Sequence, residues 1–555
     1  MKNKKILVYS LVLLLVLSII GITYAYFNTK ISGNSNAKDF TAISKVIKIE
    51  YSDGTEKLIS NDNLFKPGSI IVKKFTVTNT GDDDLDYTIY LENVTNTFNR
   101  VNDITYELYD SSDNKIYEGI FPKIDNIISD TYKLKKNEST SYTLKVIYNN
   151  SEENQIEDSG KTIDAKISFV GATLKSTLLK SAKEASASSS TTRTTLGSEV
   201  TTFTGISGAN EHVLNTAPDD YGTSYYYRGN VIDNYVDFGN LTYKDDVVVG
   251  YMSEGSDYMN RYSSLSECQS SSLYNVNCTL VHKSGEPILW RIVRINGDGT
   301  IRLILDDFAG FTSFSYANDD NAYVGYMYGI DGIAGSTTYE ATHENKNDST
   351  IKVAVGKWYE DNLKTNYASY LSDTLFCGDK TLAESGIGGV TTQLGYGTNK
   401  TYYSSTERLL YSSGTTTITT FTPTLKCSEK ANDNYSRYTT TKNILPDGKE
   451  TNGNLKYPIG LLTADEVVYA GASTIKANTT YYLVNPSITT SWHLLTPSYY
   501  DNQAFIWGVF PYGGVYEWCN PNEYFGLRPV INLKAQVLIN GGDGTKENPY
   551  TVKLS

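Results

Sequence analysis

The residues of this 555-residue chain whose types and spacing could do chemistry are five cysteines, four histidines, one Asp-Glu pair and a dense aromatic run. Cys268 and Cys278 bracket the short polar stretch "CQSSSLYNVNC", and Cys377 and Cys427 bracket a Gly- and Thr-rich excursion. In an exported chain these spacings favour two disulfides, which leaves Cys519 as the odd thiol; five reduced thiols are the alternative. His212, His282, His343 and His493 are scattered, and no Ser stands in a nucleophile-elbow pattern. His493 follows Trp492 and reads as a packed or rim residue.

Asp465 and Glu466 in "LLTADEVVYAGAS" resemble an acid and base pair. Thr463 followed three residues later by Glu466 is also a capping box, and Gly471 suits the end of the same short helix. The turns "INGDGT" (295–300) and "INGGDGT" (539–545) are acidic and Gly-rich. Each offers one Asp between glycines, which fits a hairpin turn better than the six or more oxygens of a calcium site. No catalytic residue, metal set or cofactor is therefore expected.

The aromatic run is the strongest remaining signal. "AFIWGVFPYGGVYEW" (504–518) gathers Trp507, Phe510, Tyr512, Tyr516 and Trp518 around one turn. Alternation sends Ala504 and Ile506 to one face and Phe505 and Trp507 to the other, and "YGG" supplies the turn. Both faces carry apolar groups, so this is either a strand buried on both sides or one whose second face awaits a partner. Rigid amphipathic rings give contact area at low entropic cost, which makes these five the candidate ligand-binding residues.

The chain that positions them is long enough for more than one core. A formal charge of −13 and a pI near 5.0 argue against a nucleic-acid partner, because phosphate binding needs clustered Lys and Arg. Tyr is abundant, with 46 residues, and this favours β-structure. At the N-terminus Lys2, Lys4 and Lys5 precede an uncharged run over 6–27 that ends in small residues near Ala25. Residues 1–26 are thus read as a signal peptide removed by a signal peptidase, or, uncleaved, as a membrane anchor through residues 6–27. The expected location is extracellular or at the cell surface.

Residues 27–172 alternate with period two: Phe75 and Val77, then Tyr87, Ile89 and Leu91, then Ile104, Tyr106 and Leu108, then Ile163, Ala165, Ile167 and Phe169. With Gly, Asp and Asn between the runs, this predicts an antiparallel β-sandwich. Residues 173–218, with "SAKEASASSSTTRTT", read as a Ser/Thr-rich linker whose first part, "LKSTLLKSAKEASA", has helical character. Residues 219–555 form a second core. There "PILWRIVRINGDGTIRLILDD" is a hairpin around Asn296-Gly297-Asp298-Gly299, and Trp358, Leu363, Tyr367, Tyr370 and Leu371 fall near helical spacing as a core stripe.

Two resemblances follow from particular stretches. "TYAYFN", "AKDFTAISKVIKIE" and "LFKPGSIIVKKFTVTNTGDDDLDY" resemble the TasA and camelysin family of exported bacterial matrix proteins. That resemblance implies processing by a signal peptidase and self-assembly through the N-terminal domain into biofilm fibres. "PILWRIVRINGDG", "KWYEDNLKTNYASYLSDTLFC", "IGLLTADEVVYAG", "SWHLLTPS" and "GLRPVINL" resemble a bacterial surface domain distantly similar to the C-type-lectin-like fold of formylglycine-generating enzymes. Those enzymes carry a closely spaced cysteine pair before the final Gly-Leu-Arg strand. This chain has Cys519 alone before Gly526-Leu527-Arg528, so the resemblance does not extend to that activity. The expectation is a mainly β protein with minor α content, a sandwich followed by a lectin-like α+β domain, that binds a carbohydrate or protein ligand at the surface and is not an enzyme.

Overall fold

The computed structural model describes residues 38–554 outside 43–44, 53–56, 60–64, 81–84, 124–125, 131, 152–154, 171–172, 205–210, 242–246, 253–258, 263–269, 271–275, 283–284, 332–335, 385–393, 413–415, 419, 428–434 and 485–489. The signal or anchor segment read at residues 1–26 and the expected Cys268–Cys278 bridge lie outside the described residues. Among the described residues no helix is long and apolar enough to cross a membrane. The protein is mainly β, 40% strand and 15% helix, in several sheets, with no barrel among the described residues. It divides into two compact units, residues 1–177 with 553–555, and residues 178–552.

In the first unit the period-two runs become strands because alternation lets each bury one face. Strands β1 (Lys38–Ala42), β2 (Lys45–Tyr51), β3 (Lys57–Ile59), β4 (Ile70–Asn79), β5 (Leu85–Asn96), β6 (Ile104–Tyr109), β7 (Lys115–Ile120), β8 (Asn126–Ile127), β9 (Tyr132–Leu134), β10 (Ser139–Tyr148) and β11 (Ile163–Val170) follow in order. One sheet runs β1-β2-β4-β10-β6-β7 and the other β3-β11-β5-β8, with β9 also on β5. Phe75, Val77, Ile89, Leu108, Leu144 and Phe169 belong to one buried cluster drawn from both sheets. The Tyr51 hydroxyl donates to the Ile167 carbonyl at 2.9 Å, which ties β2 to β11. Outside the core, Thr76 with Ser141 and Thr78 with Ser139 pair hydroxyls across β4 and β10, each at 2.8 Å. On β5 the wet face expected from alternation is incomplete, since Thr88 and Tyr90 are buried along with Tyr87, Ile89 and Leu91.

The stretch read as a linker is largely built into secondary structure. Leu174–Ala187 is helix α1, as its apolar spacing suggested, and the division between the units falls within it. Thr195–Leu196 (β12) pairs in parallel with His212–Asp219 (β13), which in turn pairs antiparallel with Gly222–Gly229 (β14). Composition misled here because hydroxyl side chains bought order by hydrogen bonding rather than by apolar burial. The Thr194 N–H donates to Asp233 Oδ2 at 3.0 Å, and the Leu196 N–H donates to Ser186 Oγ at 2.7 Å.

The second unit continues with β15 (Tyr235–Asn240), β16 (Pro287–Ile295), β17 (Ile301–Leu305), β18 (Gly310–Ser313), helix α2 (Thr350–Asn362), β19 (Thr401–Tyr402), helix α3 (Ser404–Leu409), β20 (Ile459–Gly460), helix α4 (Ala464–Ala470), β21 (Trp492–Tyr500), β22 (Ala504–Val509), β23 (Val515–Cys519), β24 (Tyr524–Leu527), β25 (Val530–Leu533) and β26 (Tyr550–Thr551). Its nine-stranded sheet runs β12-β13-β14-β16-β17-β25-β20, with β15 beside β16 and β26 beside β15. A second sheet runs β18-β24-β21-β22-β23, with β19 beside β21. The β16–β17 turn is the hairpin expected at residues 296–299: Asp298 Oδ1 accepts the Thr300 N–H at 3.0 Å, and Gly299 takes φ of 84°. Asp298 is thus spent on its own turn. The core stripe near 358–371 is only partly helical, since α2 ends at Asn362, yet Trp358, Leu363, Tyr367 and Leu371 are all buried.

Buried charge joins these elements. Arg294 on β16 holds Asp219 Oδ2 at 2.8 Å and Glu466 Oε1 at 3.1 Å. Arg302 on β17 brings its Nε to 2.7 Å from the same Glu466 oxygen, as an ion pair without hydrogen-bond alignment. The other oxygen, Oε2, accepts the Thr463 N–H at 3.0 Å, and the Thr463 hydroxyl accepts the Glu466 N–H at 3.2 Å, closing the capping box of α4. Burial alone would push the Glu466 carboxyl up, but Arg302 and Arg294 outweigh it and hold it below the ordinary glutamate value. Nearby, Arg408 spans Asp379 at 2.6 Å and Asp465 at 2.8 Å. Among the described residues Asp220 has no such ion pair. Burial pushes its carboxyl up to about 6 against the Cys427 N–H that it accepts at 2.8 Å.

Two variants probe this network with opposite pH signatures. Glu466→Ala leaves two buried guanidiniums short of a counter-charge and should lower stability by about 3–5 kcal/mol in urea unfolding at neutral pH. The Glu466 contribution is fully present above its unfolded pKa near 4.5 and is lost as pH falls through the lower folded value, so parent and variant converge in acid. Asp220→Asn works the other way. The cost of the buried carboxylate is fully present above pH about 6 and absent below 3.8, so the variant should gain stability, on the order of 2 kcal/mol, only toward and above pH 6. Unfolding midpoints of the second unit measured from about pH 2 to 7 check both.

Candidate ligand-binding surface

The aromatic run folds as the hairpin β22–β23 at the end of its sheet. Its turn is fixed by backbone bonds, Phe510 N–H to Gly514 carbonyl at 2.9 Å and Gly513 N–H to Phe510 carbonyl at 2.8 Å. Both glycines are required there. Gly513 has φ of 75°, and a Cβ on it would lie 1.8 Å from the Asn478 carbonyl oxygen. A Cβ on Gly514 would lie 2.4 Å from the Tyr516 ring, so the absence of a side chain is what lets that ring fold over the turn.

The five candidate residues divide into two groups. Trp507 is fully buried, and its indole N–H donates to Ser405 Oγ on α3 at 3.0 Å. Ser405 in turn donates to the Pro497 carbonyl at 2.6 Å, which leaves no polar atom of this arrangement free for a ligand. Trp507 is corrected to a core residue: the bulge between Ile506 and Gly508 in the β22–β23 register places it under a helix that the alternation could not foresee.

Phe510, Tyr512, Tyr516 and Trp518 form a connected cluster at the surface. Phe510 is its hub, with ring centroids at 4.8 Å to Trp518, 5.3 Å to Tyr516 and 5.7 Å to Tyr512. Phe510 and Tyr516 are half-buried, whereas Tyr512 and Trp518 are 42% and 45% exposed. One ring that the sequence did not single out extends the surface: Phe525 on β24 lies 6.1 Å from Phe510. Nothing local to "EYFGL" showed that β24 would lie in the same sheet.

Behind the cluster, Phe525 stacks on His493 at 4.9 Å and 28°. His493 is buried, its Nε2 lies 3.1 Å from the Glu523 carbonyl, and burial pushes its pKa down to about 4, so the ring is neutral at physiological pH. It is a packed residue, as its position beside Trp492 suggested. His343 is likewise buried, with its Nε2 3.2 Å from the Tyr403 hydroxyl.

The remaining chemical residues are placed as follows. Cys377 and Cys427 form a disulfide with Cα atoms 5.4 Å apart, while Cys519 is a free, buried thiol that burial holds well above the ordinary thiol range. Asp465 is held by Arg408 and Glu466 by Arg294 and Arg302, so the acid pair is committed to ion pairs. Among the described residues no group of three or more His, Cys, Asp or Glu side chains is arranged to hold a metal.

No family model matches the chain, and a search of curated proteins returned no match. Among solved structures the chain is similar to a β-glucosidase from Kluyveromyces marxianus at 10% identity and a TM-score of 0.13. That alignment covers 50% of this chain and 48% of the other. Likeness this slight carries no argument about fold or activity.

The division of the rings is itself testable. Trp507→Ala removes a buried indole and should cost about 3–5 kcal/mol. Trp518→Ala, at an exposed position, should change stability by no more than about 0.5 kcal/mol. Urea titrations of the two variants followed by circular dichroism check the contrast, and equal losses would place both rings in the core.

Proposed function

We propose that this is an exported bacterial surface or matrix protein that adheres to a carbohydrate through the cluster Phe510, Tyr512, Tyr516 and Trp518. The single observation that carries the reading is the exposure of Trp518 and Tyr512, 45% and 42%, around a half-buried phenylalanine hub while Trp507 beside them is fully buried. Exposed large aromatics gathered on one rigid hairpin give contact area without the entropy cost of ordering long flexible chains. A carbohydrate suits them better than a protein partner. Ring faces cover sugar C–H groups, and the Tyr hydroxyls serve ring oxygens.

Export rests on the basic and apolar order of residues 2–27, and the lectin-like character of the second unit rests on the resemblance of its ordered stretches. In the same reading the first unit is a sandwich of the TasA and camelysin kind that contributes self-assembly. The two sheets with one shared cluster of buried residues support that reading.

The test uses the full chain on a glycan array and on a panel of extracellular proteins. Carbohydrate binding should fall at least about tenfold in Trp518→Ala and in Tyr512→Ala, equivalent to about 1.4 kcal/mol each, with an unchanged melting transition. Gly514→Ala, which forces the Tyr516 ring aside, should weaken it as well. Binding to a protein with the same variant pattern moves the reading to a protein adhesin. Absence of any binding, or binding indifferent to Trp518 and Tyr512, leaves a structural matrix subunit as the function.

A further inference from the structure

A cavity of about 310 Å³ lies between α2 and the segment 455–459, away from the aromatic hairpin. Helix α2 starts at Ser349, whose hydroxyl accepts the Lys352 N–H at 3.3 Å. One side of the helix, with Ile351, Val355 and Trp358, is buried in the unit. The other side presents Val353, Gly356, Lys357 and Glu360 at i, i+3, i+4 and i+7, and all four line the cavity. The helix thus carries two stripes, of which the sequence reading saw only the first.

Three features of the cavity point to a ligand. The first is Tyr326, which lines it, is 1% exposed, and has no hydrogen-bond partner for its hydroxyl among the described residues. The hydroxyl itself is still reached by solvent, so water meets it when the cavity is empty and a ligand group can take that water's place. Burial pushes its pKa up, so it stays a protonated donor. The second is Lys352, whose side chain is only 8% exposed. Its ammonium donates to Asp348 Oδ1 at 2.7 Å, which leaves two further N–H bonds to direct elsewhere.

The third feature is Gly356. A glycine in a helix interior costs about 1 kcal/mol relative to alanine. Here neither backbone conformation nor crowding demands it, because a Cβ would meet only Tyr457 ring carbons at 3.7 and 4.0 Å, an ordinary contact. What the missing side chain preserves is the space in front of Tyr457. That ring is stacked on Tyr359 at 4.8 Å and 25°, and its hydroxyl donates to Glu360, so it is a fixed wall.

The lining carries three ammonium groups, each already met by a carboxylate: Lys352 by Asp348, Lys357 by Asp361 and Lys456 by Glu360. Lys352 alone of the three is sheltered from solvent, at 8% exposure against 63% and 71%, so a ligand carboxylate sharing its ammonium would be least screened there. Apolar walls from Val353, Leu455 and Ile459, together with a hydroxyl donor, suit a small ring bearing hydroxyls better than a bare phosphate or sulfate. The volume is at the lower end of the roughly 300–1,000 Å³ typical of small-ligand sites. We propose that this cavity binds one acidic sugar residue, a hexuronate, whose carboxylate pairs with the Lys352 ammonium while a hydroxyl accepts from Tyr326. The inference does not rest on the aromatic surface.

Calorimetry and saturation-transfer NMR on the full chain, with D-glucuronate, D-galacturonate and D-glucose as probes, test it. At least one uronate should bind saturably, and glucose at least about tenfold more weakly, a difference of about 1.4 kcal/mol. Tyr326→Phe removes only the unpartnered hydroxyl, so it should leave the melting temperature unchanged and weaken uronate binding about tenfold. Gly356→Leu, which puts a side chain into the cavity, should abolish binding, and Trp518→Ala should not affect it. If Gly356→Leu fails to fold, Tyr326→Phe decides. Uronate binding that is absent, matched by glucose, or indifferent to Tyr326→Phe overturns the proposal.

Discussion

The second unit depends on a carboxylate that has been taken out of water and cannot be left there alone. Glu466 receives Arg294 from β16 and Arg302 from β17, while Arg294 also grips Asp219 at the end of β13. Three strands and α4 are thereby locked in one relative placement, because a buried charge tolerates no displacement that breaks its pairing. An apolar contact at the same place would resist separation but would tolerate sliding, since dispersion and burial are not directional. The net energy of such a cluster is modest, and its value here is registry. It holds the N-terminus of α4 against the central strands β16 and β17, and from α4 the chain proceeds to β21 and the aromatic hairpin.

Registry matters because the hairpin uses its two faces for unlike purposes. On one face Trp507 is held by Ser405, and Phe505 stacks on Tyr499 at 4.5 Å, which stacks on Tyr402 at 5.5 Å. This cross-strand ladder anchors β22 to β21 and β19. On the other face Phe510, Tyr516 and Trp518 are joined ring to ring and rest on Phe525 and His493. The exposed rings are therefore mounted on a face whose reverse is core, and this keeps them rigid while wet. A slip of one residue in β23 would exchange Tyr516 and Trp518 for Glu517, so the bulge opposite Trp507 and the Gly513-Gly514 turn fix which side chains reach the surface.

Much of this was legible in the sequence where a single local rule sufficed. Period two marked Phe75, Val77, Ile104, Tyr106, Leu108, Ile163, Ala165, Ile167 and Phe169, all of which are buried. The Asn296–Gly299 turn, the Thr463–Glu466 capping box, the Cys377–Cys427 bridge and the helical character of 174–187 were each readable from a few adjacent residues or one spacing. What was not legible depends on distant partners. Trp507 and Trp518 are eleven positions apart in one hairpin and chemically identical, yet only Ser405, about a hundred residues earlier, decides that the first is core. The Ser/Thr-rich segment was misread for a similar reason: Asp233 orders Thr194 from far along the chain. Composition weighs apolar burial and is blind to such bonds.

Consistent sequences obey local rules almost everywhere, so departures from those rules carry information, provided each is asked what compensates it. An exposed Trp518 violates the preference for burying large rings, and Tyr512 in the same ring cluster shares the violation, which makes it a surface rather than an accident. Gly356 violates helix propensity with neither a turn nor a clash to explain it, and an unpartnered phenol faces the same space. The Glu466 cluster violates the rule against buried charge but is paired on every side, and this identifies it as architecture. Asp220 is the instructive contrast. It is buried with one backbone donor and, among the described residues, no ion pair of its own, so at neutral pH its carboxylate lowers the stability that the neighbouring ion pairs supply. Burial alone does not mark function; a departure points outward only when the compensation is missing from the protein and there is room for something else to provide it. The cavity at Asp220 is about 30 Å³, enough for water, whereas the one at Tyr326 and Gly356 is about ten times larger. By that criterion the first is an internal solvent site, and the second is where the protein has kept space for a solute.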